Sequence, residues 1–266
     1  MLTNYHTHST YCDGKNTPRE MVLAAIDKGF DALGFSGHGY TQRDSSFCMR
    51  DTQGYIQTVC NLQKEFSEQL QIYLGVEEDM IHPANRTDFD YIIGSSHYIV
   101  KDGQYYSVDG SVDCYEQCKS LFDGDPIRYA EAYYEAFCDY IRSRKPDIIG
   151  HFDLITKFDE KNGFELMEDP RYIKTAVHYL DAAMESQCIF EVNTGAIARG
   201  MRTTPYPSAD LLYRMMRNGA RVILSSDCHD YRFLDCYYDE TRAMLRDIGF
   251  RQVYHLYDGH FIPENL

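Results

Sequence analysis

His6 and His8 alternate in the opening stretch NYHTHSTYCDG (residues 4–14), and Asp13 closes the same short polar run. Imidazoles and carboxylates pack poorly in an apolar core, but they are the nitrogen and oxygen donors that divalent cations prefer. The chain has 10 histidines. Six of them, His6, His8, His38, His97, His151 and His229, fall at or just past the C-terminal end of a β-like run. Asp13, Glu77 and Asp227 occupy similar places. Residues two apart on a strand point to the same side, which groups His6 with His8 and Asp227 with His229. A lone histidine at a strand end is ordinarily a hydrogen-bonded loop residue. Six at equivalent ends of five strands form a pattern, whereas His82, His178, His255 and His260 break it and read as ordinary.

Nine such ligands exceed what one ion needs, because a zinc site takes about four close donors, often three from protein plus water. They imply two or three ions, with at least one carboxylate shared. The absence of thiolates from the set favours zinc, manganese or iron over copper. A multinuclear site of this kind activates a bridging hydroxide at neutral pH and clamps the oxygens of a phosphoryl group. The chemistry expected is metal-assisted hydrolysis.

The elements that must position these residues recur along the chain. Seven β-like runs lie at 2–9, 32–38, 72–79, 91–99, 147–153, 189–195 and 221–229, most of them followed by a helical pattern. The first helix is signposted by Thr17 as cap, Pro18 in its first turn, Glu20 completing a capping box and Gly29 as stop. Helical apolar spacing continues at 51–69, 126–145, 170–187 and 208–218. Strand and helix in alternation predict a parallel α/β fold in one domain spanning 1–266. In a parallel barrel all the strand ends converge on the rim that carries active sites. The Gly- and Asp-rich segment 101–125 is longer than a usual βα loop and is expected to form an active-site flap.

Bulk properties agree. With 26 Lys and Arg against 41 Asp and Glu, the formal charge is −15, which repels nucleic-acid backbone and anionic lipid and attracts metal cations. No charged-then-apolar leader and no apolar run near membrane-spanning length are present, so a cytoplasmic protein without membrane contact is expected. The 9 cysteines are scattered and odd in number, which predicts free thiols.

HTHSTYCDG, FSGH, GVEED, GSSHYI, IGHFD and SSDCH, in this order from Tyr5 to His229, resemble the successive motifs of the polymerase and histidinol phosphatase family. The resemblance implies a distorted (β/α)7 barrel binding three divalent ions at its C-terminal rim. It assigns His6, His8, Glu77 and Asp227 to one ion, Glu77, His97 and His151 to a second, and Asp13, His38 and His229 to a third. Many members have histidine where this chain has Asp13; aspartate there is similar to the histidinol-phosphate phosphatase branch. The expected reaction is therefore hydrolysis of L-histidinol phosphate, a small phosphomonoester, by attack of a metal-bridging hydroxide.

A dianionic phosphate in an acidic protein needs further cations. Arg199 and Arg202, after the sixth run, offer planar forks for phosphate oxygens, Lys157 is a third candidate, and Ser208 offers a hydroxyl or a helix cap. Asp227 or His229 is expected to assist proton transfer. Glu78, Asp79 and Asp153 are acidic candidates for the imidazole and ammonium of histidinol. The rivals are a related phosphoesterase acting on nucleotides or phosphotyrosine, an amidohydrolase-like metal hydrolase, and a non-catalytic metal-binding module. An amidohydrolase commonly bridges its metals with a lysine at the end of the fourth strand, where this chain has His97.

Overall fold

The computed structural model of the protein describes residues 1–42, 46–164 and 166–266. In chain order its strands are β1 (Thr3–Asn4), β2 (Ala32–Phe35), β3 (Gln71–Asp79), β4 (Tyr91–Ser95), β5 (Tyr98–Lys101), β6 (Gln104–Ser107), β7 (Ile148–Ile149), β8 (Ile189–Asn193), β9 (Val222–Ser225), β10 (Gln252–Tyr257) and β11 (His260–Asn265). The main sheet runs β1-β2-β3-β4-β7-β8-β9-β10-β11 and is parallel as far as β10, with β10 and β11 antiparallel. Parallel neighbours need a crossover, and helices supply most of them: Pro18–Asp27, Thr52–Glu65, Pro126–Arg144, Pro170–Met184 and Ala209–Arg217. The first of these carries the expected capping box, Thr17 with Glu20, and Pro18 in its first turn.

The seven expected runs all appear, but several are shorter in the ladder than in the sequence. β1 is a two-residue strand, and its continuation through His6 and His8 stays beside β2, with Ser36 N donating to Thr7 O at 3.0 Å, while its other edge approaches β9. A single bridge between Thr7 and Cys228, with His8 N donating to Cys228 O at 2.8 Å and Cys228 N to His6 O at 2.9 Å, draws the two edges of the seven-strand set together. The expected run 91–99 divides into β4 and β5. The segment 101–125, expected as an active-site flap, is built of regular elements: β6 forms a hairpin with β5, and Val112–Ser120 is a helix. The hairpin β10–β11 and the helix Tyr238–Ile248 were not anticipated. Both hairpins turn on Asp-Gly, at Asp102–Gly103 and Asp258–Gly259, with positive φ at both residues, the backbone that a two-residue turn between twisted strands requires. All nine cysteines are free, and no helix among the described residues is long and apolar enough to cross a membrane.

A layer drawn from the strands, including Tyr5, Tyr91, Ile148, Ile189 and Ile223, forms its own buried cluster, apart from the two that also hold helix residues. The Tyr91 hydroxyl donates to the carbonyls of Tyr5 (2.5 Å) and Phe35 (3.2 Å), and the Tyr5 hydroxyl to Leu256 O (2.7 Å). The Tyr91 ring fits because its neighbours are glycines: a Cβ on Gly75 would stand 2.2 Å from Tyr91 Cζ, and one on Gly34 2.3 Å from its hydroxyl oxygen. Gly75→Ala is therefore expected to overpack this layer and cost about 1–3 kcal/mol or more. Urea denaturation of the two proteins checks this; an unchanged midpoint would refute it.

Candidate metal centre

Glu77, on β3, is buried at 1% exposure, and five imidazoles surround its carboxylate. Oε2 lies 2.9 Å from His38 Nδ1, 3.2 Å from His6 Nε2 and 3.6 Å from His8 Nε2. Oε1 lies 3.0 Å from His151 Nε2 and 3.4 Å from His97 Nε2, and accepts from Ser95 Oγ at 2.7 Å. Asp227 Oδ1 stands 3.1 Å from His8 Nε2, 3.5 Å from His229 Nδ1 and 3.6 Å from His6 Nε2. Asp13 Oδ2 is 3.2 Å from His229 Nε2 and 3.7 Å from His38 Nε2. All nine residues singled out in the sequence thus converge on one place, contributed by the ends of β1, β2, β3, β4, β7 and β9.

Their donor atoms fall into four overlapping groups: His8 with Asp13, His38 and His229; His6 with Glu77 and His151; His6 with His8 and Asp227; and His38 with Glu77 and His97. The Asp13–His38–His229 cluster expected from the resemblance is present and gains His8. His97 and His151 both reach Glu77 Oε1, at 3.4 and 3.0 Å, and these are the three residues that the resemblance gives to one ion. The donors suit divalent cations by chemistry and by need. His6 Nε2, His8 Nε2 and Glu77 Oε2 are buried with no hydrogen-bond partner, a costly condition that a cation would relieve. None of His82, His178, His255 and His260 belongs to a ligand group among the described residues.

Charge is balanced within the cluster. Burial opposes ionisation of Glu77, yet the imidazoles of His6, His38 and His97 hold its carboxyl well below the usual carboxylate range. Burial likewise opposes ionisation of Asp227, and Arg199 and His6 outweigh it. The two alternating histidines differ: burial, with His229 and His38 nearby, pushes His8 down to about 3, whereas Glu191 and Glu77 overcome burial and raise His6. Asp227 also has a φ of 47°, a left-handed backbone that aspartate tolerates better than most residues and that turns its carboxylate group at the strand end.

A second set of side chains aims the ligands, and sequence reasoning did not assign it. Glu191, fully buried on β8, takes His6 Nδ1 at 2.6 Å on one oxygen, and on the other accepts from His151 N at 2.8 Å and Asn193 Nδ2 at 2.9 Å. Its signal was a charge inside the otherwise apolar strand IFEVN. Asp79 bonds His97 at Nδ1 (3.1 Å) and at the backbone N (2.8 Å). The other two acidic candidates are engaged elsewhere. Glu78 is held by Arg144 Nε and the Tyr140 hydroxyl, each at 2.6 Å, and Asp153 accepts from Ser208 N at 2.9 Å.

The expected phosphate-binding residues divide two and two. A cleft of about 210 Å³ over the ligands receives Arg199 and Lys157. Arg199 donates to Asp227 Oδ2 at 2.8 Å and to Asp227 O at 3.1 Å; Lys157 Nζ reaches Asp109 Oδ2 at 3.0 Å. Arg202 and Ser208, in contrast, do not line this cleft. The Arg202 guanidinium has no exposed surface; it bonds Thr156 Oγ1 at 2.7 Å, lies 3.8 Å from Asp153 Oδ2 and stacks 4.4 Å above the Tyr206 ring. Burial beside two carboxylates explains its place: it neutralises Asp153 and Glu160. Ser208 occupies the cap position of the helix Ala209–Arg217 without a side-chain capping bond.

Residues 4–195 match the PHP domain. The chain belongs to that family. It is 30% identical over 266 residues to a Deinococcus radiodurans protein named "Probable histidinol-phosphatase", covering 95% of each. It is 24% identical to the "Histidinol-phosphatase" of Bacillus subtilis over 84% of this chain and 92% of that one. Its fold is shared with the Lactococcus lactis histidinol phosphate phosphatase solved with Zn, L-histidinol and phosphate, at a TM-score of 0.71, 20% identity and 98% coverage of both chains. In a PHP domain so built, the partner of a ligating imidazole sets its orientation and basicity. Glu191→Gln is accordingly expected to weaken divalent-metal affinity about 10- to 100-fold, measured by competition with a chelator. An unchanged affinity would sink the role given to Glu191.

Proposed function

We propose that this chain is a metal-dependent phosphomonoesterase that hydrolyses L-histidinol phosphate to L-histidinol and phosphate, a step of histidine biosynthesis. The observation that carries the reading is the cleft itself: seven of the nine candidate imidazole and carboxylate ligands line it together with two cationic side chains, Arg199 and Lys157, and His6 and His8 lie buried against those ligands. Relatives named histidinol-phosphatase over nearly the full length supply the substrate.

We assign three divalent ions, of zinc, manganese or iron, to His6, His8, Asp13, His38, Glu77, His97, His151, Asp227 and His229, with Glu77 shared. Bound there, such ions supply Lewis-acid polarisation of the phosphoryl group and activation of water at neutral pH. The chain's own residues do the rest. Glu77 and Asp227 provide fixed negative charge that keeps the cluster together. Arg199 offers two donors in a plane that matches two phosphate oxygens, and Lys157 adds a point charge at the same cleft. Asp227 and His229, at the Arg199 side, are the groups we assign to proton transfer. Arg202 and Ser208 act on the loop around Asp153 rather than on substrate.

We read the protein as one cytoplasmic domain over 1–266 whose partner is a small molecule; its charge of −15 disfavours nucleic-acid backbone and anionic membrane. Steady-state kinetics on a panel of phosphomonoesters, run with manganese, zinc and iron, tests the assignment. L-histidinol phosphate is expected to exceed nucleotides and phosphotyrosine in kcat/KM by at least about tenfold, one factor of 1.36 kcal/mol. A few-fold preference would reduce the activity to a general phosphatase. Glu77→Gln is expected to lose bound metal and to lower turnover by about 100-fold or more, on the scale seen when a group serving transition-state charge is removed. Full turnover with an unchanged metal complement would overturn the multinuclear site.

A further inference from the structure

Beside the metal cleft opens a second cavity of about 330 Å³. The two share Asp13, His38, His97, Asp109 and Lys157. Four carboxylates line the metal cleft: Asp13, Glu77, Asp109 and Asp227. Among the described residues Asp109 alone of these lies outside every ligand group, so its charge is not committed to the ions. It is carried at the end of the β5–β6 hairpin, which is pinned where Val108 N donates to His97 O at 2.9 Å and Gly110 N to Ser107 Oγ at 3.0 Å. Its carboxylate accepts from Lys157 Nζ at 3.0 Å and, more weakly, from Ser107 Oγ at 3.4 Å. Each carboxylate oxygen has two acceptor sites, so Asp109 retains capacity for another donor. Phe47 also lines the second cavity, its ring edge-on to His38 at 5.0 Å.

The proposed substrate is a zwitterion: a phosphate and an ammonium on adjacent carbons, with an aromatic ring beyond. The Asp109–Lys157 pair is the matching opposite, a cation and an anion set side by side at the boundary of the two cavities. Resting on the histidinol-phosphatase reading, we propose that this pair reads the substrate by exchanging partners. Lys157 turns to the phosphate, Asp109 takes the ammonium, and the ring enters the second cavity against Phe47. Asp109 is then the specificity-determining residue, selecting phosphomonoesters with a cationic amine next to the ester carbon over neutral ones of similar size.

The test compares L-histidinol phosphate with phenyl phosphate, which carries no cation, in the metal-loaded wild type, Asp109→Asn and Asp109→Glu. A charge-assisted hydrogen bond to the ammonium predicts that Asp109→Asn loses about 10- to 100-fold more kcat/KM on L-histidinol phosphate than on phenyl phosphate. Asp109→Glu is expected to recover part of that difference. Calorimetry on the same proteins should show weakened L-histidinol binding in the presence of inorganic phosphate. Equal losses on both substrates would mean that Asp109 only anchors the hairpin through Lys157, and would overturn the proposal, as would no loss on either. If the wild type itself does not prefer L-histidinol phosphate, the histidinol-phosphatase reading and the proposal fall together. If it does and Asp109→Asn keeps the preference, only the proposal falls.

Discussion

A carboxylate taken out of water must be repaid by cations or hydrogen-bond donors, and Glu77, with 1% of its surface exposed, sets that demand at the middle of this molecule. Five imidazoles and a serine hydroxyl come to it from the ends of β1, β2, β4 and β7. That is possible only if β3 lies between β2 and β4 with parallel neighbours and in one register. The register is tied at the site itself: Glu77 N donates to Ser36 O at 3.1 Å and Gly39 N to Glu77 O at 2.8 Å, so His38 and Glu77 bridge as partners beyond the end of the β2–β3 ladder. A one-residue slip would turn Glu77 to the opposite face and scatter the imidazoles.

Below this polar cluster the sheet is filled by aromatic and branched side chains. The chain's 23 tyrosines and absent tryptophan become intelligible here. Tyr5, Tyr55, Tyr91, Tyr129, Tyr133, Tyr134, Tyr172 and Tyr206 are almost fully buried, and several end in a hydroxyl placed on a carbonyl or on another hydroxyl. Such a tyrosine supplies aromatic bulk and still satisfies its polar end, whereas the Tyr129 and Tyr206 hydroxyls are buried with no hydrogen-bond partner among the described residues.

How much of this was legible in the sequence follows from which forces act locally. Histidines at strand ends stood out because they interrupt an apolar period, and all nine metal-ligand candidates do meet. Which ligands share an ion depends on side-chain distances in space, which spacing along the chain does not give. Arg199 and Arg202 are three residues apart and were both candidates for phosphate, Arg199 the stronger. The fold sends Arg199, the cap residue of the short helix Gly195–Ala198, to the cleft and stacks Arg202 on the Tyr206 ring. Glu191 was hidden in plain view within an apolar strand. The two overlooked hairpins each carried an Asp-Gly turn signal, but the strand–helix alternation elsewhere outweighed it in reading the chain.

The acidity of the protein and the anionic substrate seem opposed until the cations are traced. Arg199 and Lys157 are each stored against a carboxylate, Asp227 and Asp109. Left unpaired in a cleft of low dielectric, two such cations would repel one another and lose solvation; paired, they are held in the cleft to which the proposed function brings the phosphate. Under that proposal an incoming phosphate would compete with those carboxylates rather than find bare charge. Small anions that offer only one good contact gain little from the exchange, whereas a substrate that also satisfies the displaced carboxylate gains on both sides. Selectivity of this kind arises from the protein's own excess of negative charge, which would otherwise oppose binding.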